Sequence, residues 1–242
     1  MKCLVTKLNG VVQNDNIPIL GSLRLMFYKN NANSEKLQSF FISPGVEAIT
    51  IKASNGVRLT TDTGLEGSNF VIPNNDAGKI QITVPNENVY IDIFPIYNIK
   101  GFVFGGSGET NEFNNREIFN PEIFKFCNKV EILNFKEHSK TPLKMEYFQS
   151  TSLRELNISY TNVTGNLKDL KVKENINSFS AKNCTSIKGN LDDILDKVVK
   201  TGENILEITN TPNIIKKRST ITTLQSYGFT VNVKQDEVSE EL

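Results

Sequence analysis

The single histidine and the three cysteines are the side chains of this sequence best suited to catalysis or metal binding, because imidazole and thiolate groups serve as bases, nucleophiles and metal ligands. The histidine is His138, and the cysteines are Cys3, Cys127 and Cys184. A zinc site needs ligands in close pairs, and a disulfide framework needs an even number of cysteines at compact spacing. The sequence has neither pattern. We therefore predict free thiols, no metal site and no cofactor site.

Two other short motifs could bind phosphate or supply paired carboxylates. Gly105, Gly106 and Gly108 form a glycine-rich loop, but the Lys-Ser or Lys-Thr of a phosphate-binding loop does not follow them. Asp192 and Asp193 stand where a helix is predicted to start, and a helix N-terminus favours negative charge. These motifs indicate a flexible connection and a helix start. We predict no catalytic residue and no enzymatic activity, with a hydrolase that uses carboxylates alone as the alternative left open.

A repeated sequence frame predicts structural roles for His138 and Cys184 that involve no catalysis and no metal binding. Four segments fit the frame L-x-x-L-x-L-x-x-N/C, namely VEILNFKEH from Val130, LRELNISYT from Leu153, INSFSAKNC from Ile176 and ENILEITNT from Glu203. The first three begin 23 residues apart, and the fourth follows an insertion of four. His138, Thr161, Cys184 and Thr211 all occupy the ninth position, where the chain turns. We expect these side chains to satisfy backbone groups inside stacked coils.

The segments between the frames predict helices on the convex side of the stack. Leu191, Ile194, Leu195, Val198 and Val199 have the spacing of an amphipathic helix that ends at Gly202. The Gly-Asn-Leu that precedes it also occurs at 165–167. Asn120-Pro121 predicts another helix start ahead of the Val130 strand, and a helix from Ser219 followed by a last strand, FTVNV, predicts a C-terminal cap.

The N-terminal half predicts a β domain. Apolar runs from Leu23 onward are short, rich in β-branched and aromatic residues, and separated by turn residues every 8 to 12 positions. Asn55-Gly56 predicts a type I′ hairpin between ITIKA and VRLTT. We predict two further hairpins, around Asn30 to Glu35 and around Asn74 to Gly78.

The fold class predicted from these patterns is α+β, an all-β, sandwich-like N-terminal domain followed by a short solenoid of parallel strands with convex helices. The domain boundary is placed near Phe94-Pro95, and IKGFVF from Ile99 is a candidate first coil. The predicted parts are therefore residues 21–95, residues 96–235 and an acidic, solvated tail at 236–242. Residues 1–20 are either a first strand of the β domain or an arm that anchors the chain to a neighbouring subunit.

The net charge and the hydropathy of the sequence restrict the classes of partner that the protein can bind. The 27 basic and 27 acidic residues give a formal net charge of zero, which disfavours nucleic acid and anionic membranes as partners. Lys7 and Asn9 interrupt the apolar run that a signal peptide needs, and apolar stretches fall short of the roughly 20 residues of a membrane span. We expect synthesis in a cytoplasm and no membrane insertion.

The candidate partner-binding surface is the set of polar side chains that the repeated frame points away from the core. Tyr160 and Arg154 are the strongest anchors by residue type. The surface consists of Asn134, Lys136, Arg154, Asn157, Tyr160, Asn177, Lys182 and Asn183. Ordinary solvated surface is the alternative interpretation of the same residues.

The region from Val130 to Thr211 resembles leucine-rich repeat proteins, particularly the irregular bacterial kind common in Bacteroidales. The opening KLNGVVQNDNIPILGSLRL resembles N-terminal segments of virion proteins from crAss-like phages that infect those bacteria. The second resemblance implies a head or tail fibre or decoration protein, located in the virion after assembly in the host cytoplasm and anchored by its N-terminus. Its partners would be capsid or tail proteins, or the host surface, and it would form a homo-oligomer. The alternatives are a leucine-rich repeat scaffold in the bacterial cytoplasm and a carbohydrate-binding module.

Overall fold

The computed structural model describes residues 21–28, 36–54, 57–74, 78–84, 88–104 and 116–240 of the chain. The predicted arm at residues 1–20, the glycine-rich loop and the turn at Asn55-Gly56 lie outside these ranges. The eight strands of the first half are β1 Leu23–Phe27, β2 Lys36–Pro44, β3 Ile49–Ala53, β4 Leu59–Thr61, β5 Glu66–Gly67, β6 Asn69–Ile72, β7 Gly78–Val84 and β8 Val89–Phe94.

These eight strands form two sheets, and consecutive strands belong to different sheets except for β4 and β5, which pair with each other. One sheet has the order β1-β8-β3-β6 and the other the order β2-β7-β4-β5. This is the strand order of a jelly roll, in which two Greek keys close over one core. Alternating burial along β3, with Ile49 and Ile51 fully buried, shows how one face of each strand fills that core. The predicted all-β character of this half is confirmed.

The three predicted hairpins are wrong. β3 pairs with β6 and β8, whereas β4 pairs with β5 and β7, so the strands on either side of Asn55-Gly56 belong to different sheets. The same separation holds for β1 and β2, and for β6 and β7. Turn chemistry shows where the chain reverses, but it does not show whether the next strand joins the same sheet.

The second half continues one of these sheets as a ladder of parallel strands. Its strands are β9 Ile99–Val103, β10 Arg116–Ile118, β11 Ile132–Asn134, β12 Glu155–Asn157, β13 Gly165–Asn166, β14 Ser178–Ser180, β15 Ile187–Asn190, β16 Asn204–Glu207, β17 Ile214–Lys217, β18 Phe229–Asn232 and β19 Val238–Ser239. β9, β11, β12, β14, β16 and β18 are successive parallel neighbours. β10 instead returns to the first sheet, antiparallel to β1.

The register of this ladder follows the repeated frame. Leu133, Leu156, Phe179 and Leu206 are direct cross-strand partners, and all four are buried. Phe102 of β9 pairs with Leu133, which confirms the candidate first coil at Ile99. Since β9 also pairs antiparallel with β2, the jelly roll and the coils share one ten-stranded sheet across the predicted boundary near Phe94-Pro95.

The other side of the coils differs from the predicted convex helices. It carries a second parallel sheet, β13-β15-β17-β19, and short 3-10 helices. Leu191–Ile194 is one such 3-10 helix, and Val198 forms a parallel bridge with Ile176, so the predicted helix to Val199 is wrong. Within the part of the chain that the structure describes, the 3-10 helices are Ile96–Asn98, Pro121–Phe126, Met145–Tyr147, Leu167–Asp169, Leu191–Ile194 and Gln235–Glu237.

The last coil is different from the others, as the sequence predicts for a cap. It contains α1, Arg218–Ser226, which is the one α-helix within the described ranges, and Gly228 then leads into β18. No helix among the described residues has the length and apolar character needed to cross a membrane.

Two residues of the predicted acidic tail are partly buried on this coil, whereas Asp236, Ser239 and Glu240 are exposed as predicted for a solvated segment. β19 pairs with β17, and Glu237 lies 3.4 Å from the buried ammonium of Lys216. The Lys216 ammonium also donates to the carbonyl oxygens of Thr211 and Ile214. Desolvation of this ammonium lowers the pKa of Lys216 below its usual value.

Candidate functional site

The ninth-position residues close the bends of the coils, as predicted. The hydroxyls of Thr161 and Thr211 donate to the carbonyl oxygens of Ile158 and Ile208, each at 2.7 Å. The thiol of Cys184 lies 2.9 Å from the same Ile158 oxygen. Burial raises the pKa of this thiol, although the neighbouring hydrogen bonds from the Thr161 and Tyr160 region oppose the effect.

His138 is likewise part of the core. The residue is fully buried, its ring stacks on Phe104 with 4.2 Å between the ring centroids, and its Nε2 lies 2.8 Å from the Phe104 carbonyl oxygen. Among the described residues, no group of three or more histidine, cysteine, aspartate or glutamate side chains is arranged to hold a metal ion. The ninth-position side chains therefore support the fold from inside the coils.

Asp192 and Asp193 also have structural contacts. The backbone N–H of Asn190 donates to the carboxylate of Asp193, while the Asn190 side chain accepts from the Asp192 N–H, which forms a capping box. Asp192 accepts a hydrogen bond from Thr220 and forms an ion pair with Lys217 at 3.2 Å. The Thr220 hydrogen bond, followed by Lys217, lowers the pKa of Asp192. The ion pair between Asp192 and Lys217 joins one coil to the next.

Two of the predicted partner-binding residues, Asn134 and Asn157, lie on the outer face of the parallel strands. In a strand, successive side chains point to opposite sides, so residues next to the buried Leu133, Leu156 and Phe179 point outward. Asn134 and Asn157 are direct cross-strand partners on this outer face. Their side-chain oxygens accept hydrogen bonds from the backbone N–H groups two residues further on, at Lys136 and Ser159.

The predicted residues divide between the two ends of the strands. Arg154 and Asn177 lie before β12 and β14, where Arg154 forms a 2.7 Å ion pair with Glu131. Tyr160, Lys182 and Asn183 lie after the same strands, at the turns. The predicted anchors Arg154 and Tyr160 therefore lie at opposite ends of one strand and cannot bind the same small group.

The eighth position of the frame, at the turn end, has a left-handed backbone angle in all four coils, and Glu137 occupies it in the first coil with a φ of 69°. Tyr160 has a φ of 60°, in the left-handed region that bulky side chains seldom adopt. Asn183 and Asn210 occupy the equivalent turns of the next two coils with φ values of 57° and 55°, and asparagine tolerates this region well. The Tyr160 side chain is 38% exposed.

Tyr160 is surrounded by polar groups from the next two coils. The Lys182 ammonium lies 5.9 Å from the centroid of its ring and 3.5 Å from the carboxylate of Glu207. The interaction with the Tyr160 hydroxyl, followed by the charge of Glu207, raises the pKa of Lys182. The side-chain amide of Asn210 donates to the side-chain oxygen of Asn183 at 2.5 Å.

The list of outward residues chosen from the sequence missed several members of this face. Glu131 and Glu207 neutralise Arg154 and Lys182, while Ser178 and Ser180 occupy the middle of the face. The third and fifth positions of the frame identify the serines, since they flank the inward fourth position.

Comparisons of the chain with protein-family models, with curated proteins and with solved structures found no match.

Proposed function

We propose that this chain is a non-catalytic structural protein of a phage virion, a head or tail fibre or decoration protein that displays a leucine-rich repeat solenoid. The observation that carries the proposal is the union of a jelly roll with a stack of parallel coils in one ten-stranded sheet. Jelly rolls recur in viral capsid proteins and in lectins. Rigid continuity between the two parts suits a protein that is attached at one end and presents a surface at the other.

The N-terminal segment supports the same proposal through its resemblance to virion proteins. In this proposal, residues 1–20 anchor the chain to capsid or tail proteins, and the β half forms a symmetric homo-oligomer. The coils then face outward, toward a further virion protein or the host surface. The proposal requires no catalytic residue and no cofactor.

The experiment is co-sedimentation of the chain with assembled phage particles, with a variant that lacks residues 1–20 as the control. We expect the full chain to sediment with particles and the truncated chain to remain in the supernatant. Light scattering on the purified full chain should give the mass of a dimer or trimer. A chain that stays monomeric at high concentration and does not sediment with particles would contradict the proposal.

The second candidate is an intracellular scaffold of the bacterium, and the outer face of the coils favours it. The ion-paired Arg154 and the partly exposed Tyr160 are residue types that anchor protein interfaces. If this candidate is right, the chain co-purifies with a cellular protein in the absence of phage. Replacing both residues with alanine would then abolish the interaction.

A further inference from the structure

The outward side of the first jelly-roll sheet contains a buried ion pair. Arg24 of β1 and Asp92 of β8 are direct cross-strand partners, and the guanidinium donates to both carboxylate oxygens at 2.7 Å. Leu23 and Leu25 fill the core, so Arg24 between them points to the opposite side of the sheet. Arg24 is nevertheless only 4% exposed and Asp92 only 2%. A charged pair on the outward side of a sheet is buried to this extent only when other groups lie over it.

Aromatic side chains frame this ion pair. The guanidinium carbon of Arg24 lies 4.0 Å from the centroid of the Tyr90 ring. Phe119 follows the buried Ile118, the last residue of β10, so its half-exposed ring points to the same outward side. Phe94 occupies an outward place at the end of β8 and is partly buried. We call the surface formed by Arg24, Tyr90, Asp92, Phe94 and Phe119 the aromatic face.

The N-terminal segment enters the described structure beside the aromatic face. The carbonyl oxygen of Gly21 accepts the Ile96 N–H at 3.1 Å, and the φ of 78° at Gly21 turns the chain away from the line of β1. β1 pairs with β8 on one side and with β10 on the other, so the residues before Gly21 cannot join the sheet beside β1. The inner side of the sheet is filled by the core. The outward side is therefore the surface open to this segment.

The other undescribed segments that connect to these three strands enter at the opposite end. Residues 29–35, 85–87 and 105–115 connect to the ends of β1, β8 and β10 that contain Phe27, Val89 and Arg116. Val89 and Arg116 are both cross-strand partners of Phe27, so all three segments reach the sheet at one end. The N-terminal segment connects at the Arg24 end.

The residues just before Gly21 have the composition needed to cover the aromatic face. Ile17, Ile19 and Leu20 are apolar, whereas residues 13–16 are Gln-Asn-Asp-Asn. Pro18 has no N–H and favours an extended backbone outside central strands. Four extended residues reach about 13 Å, whereas Arg24 lies only three residues along β1 from Gly21. From these observations we infer that residues 17–20 dock on the aromatic face of their own chain.

Docking of this segment fixes the point at which residues 1–16 leave the jelly roll. A partner held by residues 1–16 is then attached rigidly to the first sheet, because the docked residues leave no free hinge at Gly21. The inference goes beyond the proposed function, since it holds for any partner of residues 1–16.

The test uses tryptophan fluorescence, because the sequence contains no tryptophan. Ile19→Trp in the full-length chain places a single probe in the docked segment, and Lys7→Trp is the control in the part that precedes it. We expect Ile19→Trp to emit at shorter wavelength than the control and to be quenched several times less by acrylamide. Emission of Ile19→Trp at the wavelength of the urea-unfolded chain would overturn the inference.

A second substitution in the Ile19→Trp chain tests the aromatic face itself. Phe119→Ser removes a half-exposed ring, so the fold should persist, which circular dichroism checks. We expect the emission to shift to the wavelength of the Lys7→Trp control. Ile215→Ser is the matched substitution, because Ile215 is also a large exposed apolar residue but lies on β17 in the coils, and it should leave the emission unchanged. Unchanged emission with Phe119→Ser would overturn the inference.

A mixing experiment distinguishes docking on the same chain from docking on a second copy. The chain with both Ile19→Trp and Phe119→Ser is refolded together with an excess of the wild-type chain, which has an intact aromatic face and no tryptophan. We expect the emission to stay at long wavelength. A return to short wavelength would overturn the inference and show that residues 17–20 dock on a neighbouring copy.

Particle sedimentation is measured separately from these fluorescence experiments. A chain with a docked segment that does not sediment with particles would leave this inference standing and count against the virion proposal. A chain that sediments with particles but has a solvent-exposed probe in Ile19→Trp would do the reverse.

Discussion

The side-chain oxygen of Asn166 lies 2.6 Å from the position that a Cβ atom on Gly189 would occupy. That oxygen is held in place, because it accepts the backbone N–H of Lys168 at 3.1 Å in the capping box of its own coil. Gly189 also has a φ of 129°. The Gly-Asn-Leu motif therefore recurs because the asparagine of one coil fills the space that the glycine of the next leaves open.

Gly189→Ala should destabilise the protein by about 2–5 kcal/mol, since it adds left-handed strain to an overpacked contact. The free energy of unfolding can be measured by urea denaturation. Gly64→Ala is the matched control, because Gly64 has a φ of 85° but nothing within 4 Å of its virtual Cβ. The control should lose stability only through the left-handed backbone strain, by about 1–2 kcal/mol. Equal losses in both variants would show that Asn166 moves aside.

Phe102→Ala should destabilise both halves of the chain together. Phe102 is fully buried, and its ring centroid lies 6.4 Å from that of Phe40 in the jelly roll and 6.0 Å from that of Phe135 in the coils. We expect a loss of about 3–5 kcal/mol. Hydrogen exchange should show faster exchange in both β3 and β14. Protection that is lost in β3 alone would indicate that the halves unfold independently.

Tyr160→Asn should stabilise the fold by about 1 kcal/mol, because asparagine adopts the left-handed conformation at lower cost than tyrosine. Thermal and urea denaturation measure this change directly. Tyr97→Asn, at an exposed site with a normal backbone, should change stability by less than about 0.5 kcal/mol. A destabilised Tyr160→Asn protein would mean that the contact of the ring with Lys182 outweighs the backbone strain.

Cys127→Val should make the free energy of unfolding less sensitive to alkaline pH. Burial raises the pKa of the Cys127 thiol from 9.0 to about 12. Between these values the unfolded chain loses the proton and the folded chain keeps it, so the wild-type free energy of unfolding falls as pH rises. The loss relative to the variant should approach about 1.4 kcal/mol per pH unit.

Urea denaturation under reducing conditions at neutral pH and again near pH 10 measures this difference. Valine is larger than cysteine and the site is fully buried, so the variant should lose about 1–3 kcal/mol at neutral pH, and this loss is the baseline for the comparison. A difference that stays the same at both pH values would contradict a raised pKa for Cys127.

The repeated frame predicted the ladder of coils because each coil contributes the same short strand to the same sheet. A 23-residue spacing with an inward fourth residue sufficed to align Leu133, Leu156 and Phe179 as neighbours. The ninth-position contacts of Thr161 and Thr211 followed from the same frame. Short-range periodicity was informative here because the pairing itself is periodic.

The jelly roll could not be predicted in this way, because its pairing partners are distant in sequence. β1 pairs with β8, and Arg24 forms a bidentate ion pair with Asp92, 68 residues away. Likewise, Leu191, Ile194 and Val198 have helical spacing, but the same spacing also suits a coil in which every one of them points into the core. Burial by itself does not distinguish the two structures.

The shared sheet has a consequence for changes in the number of coils. Each coil adds one parallel strand at the β18 side, so a gene duplication or deletion of one repeat would lengthen or shorten the molecule by about 4.8 Å without breaking any jelly-roll pairing. The number of coils can therefore change while the strand pairing of β1 to β8 stays the same.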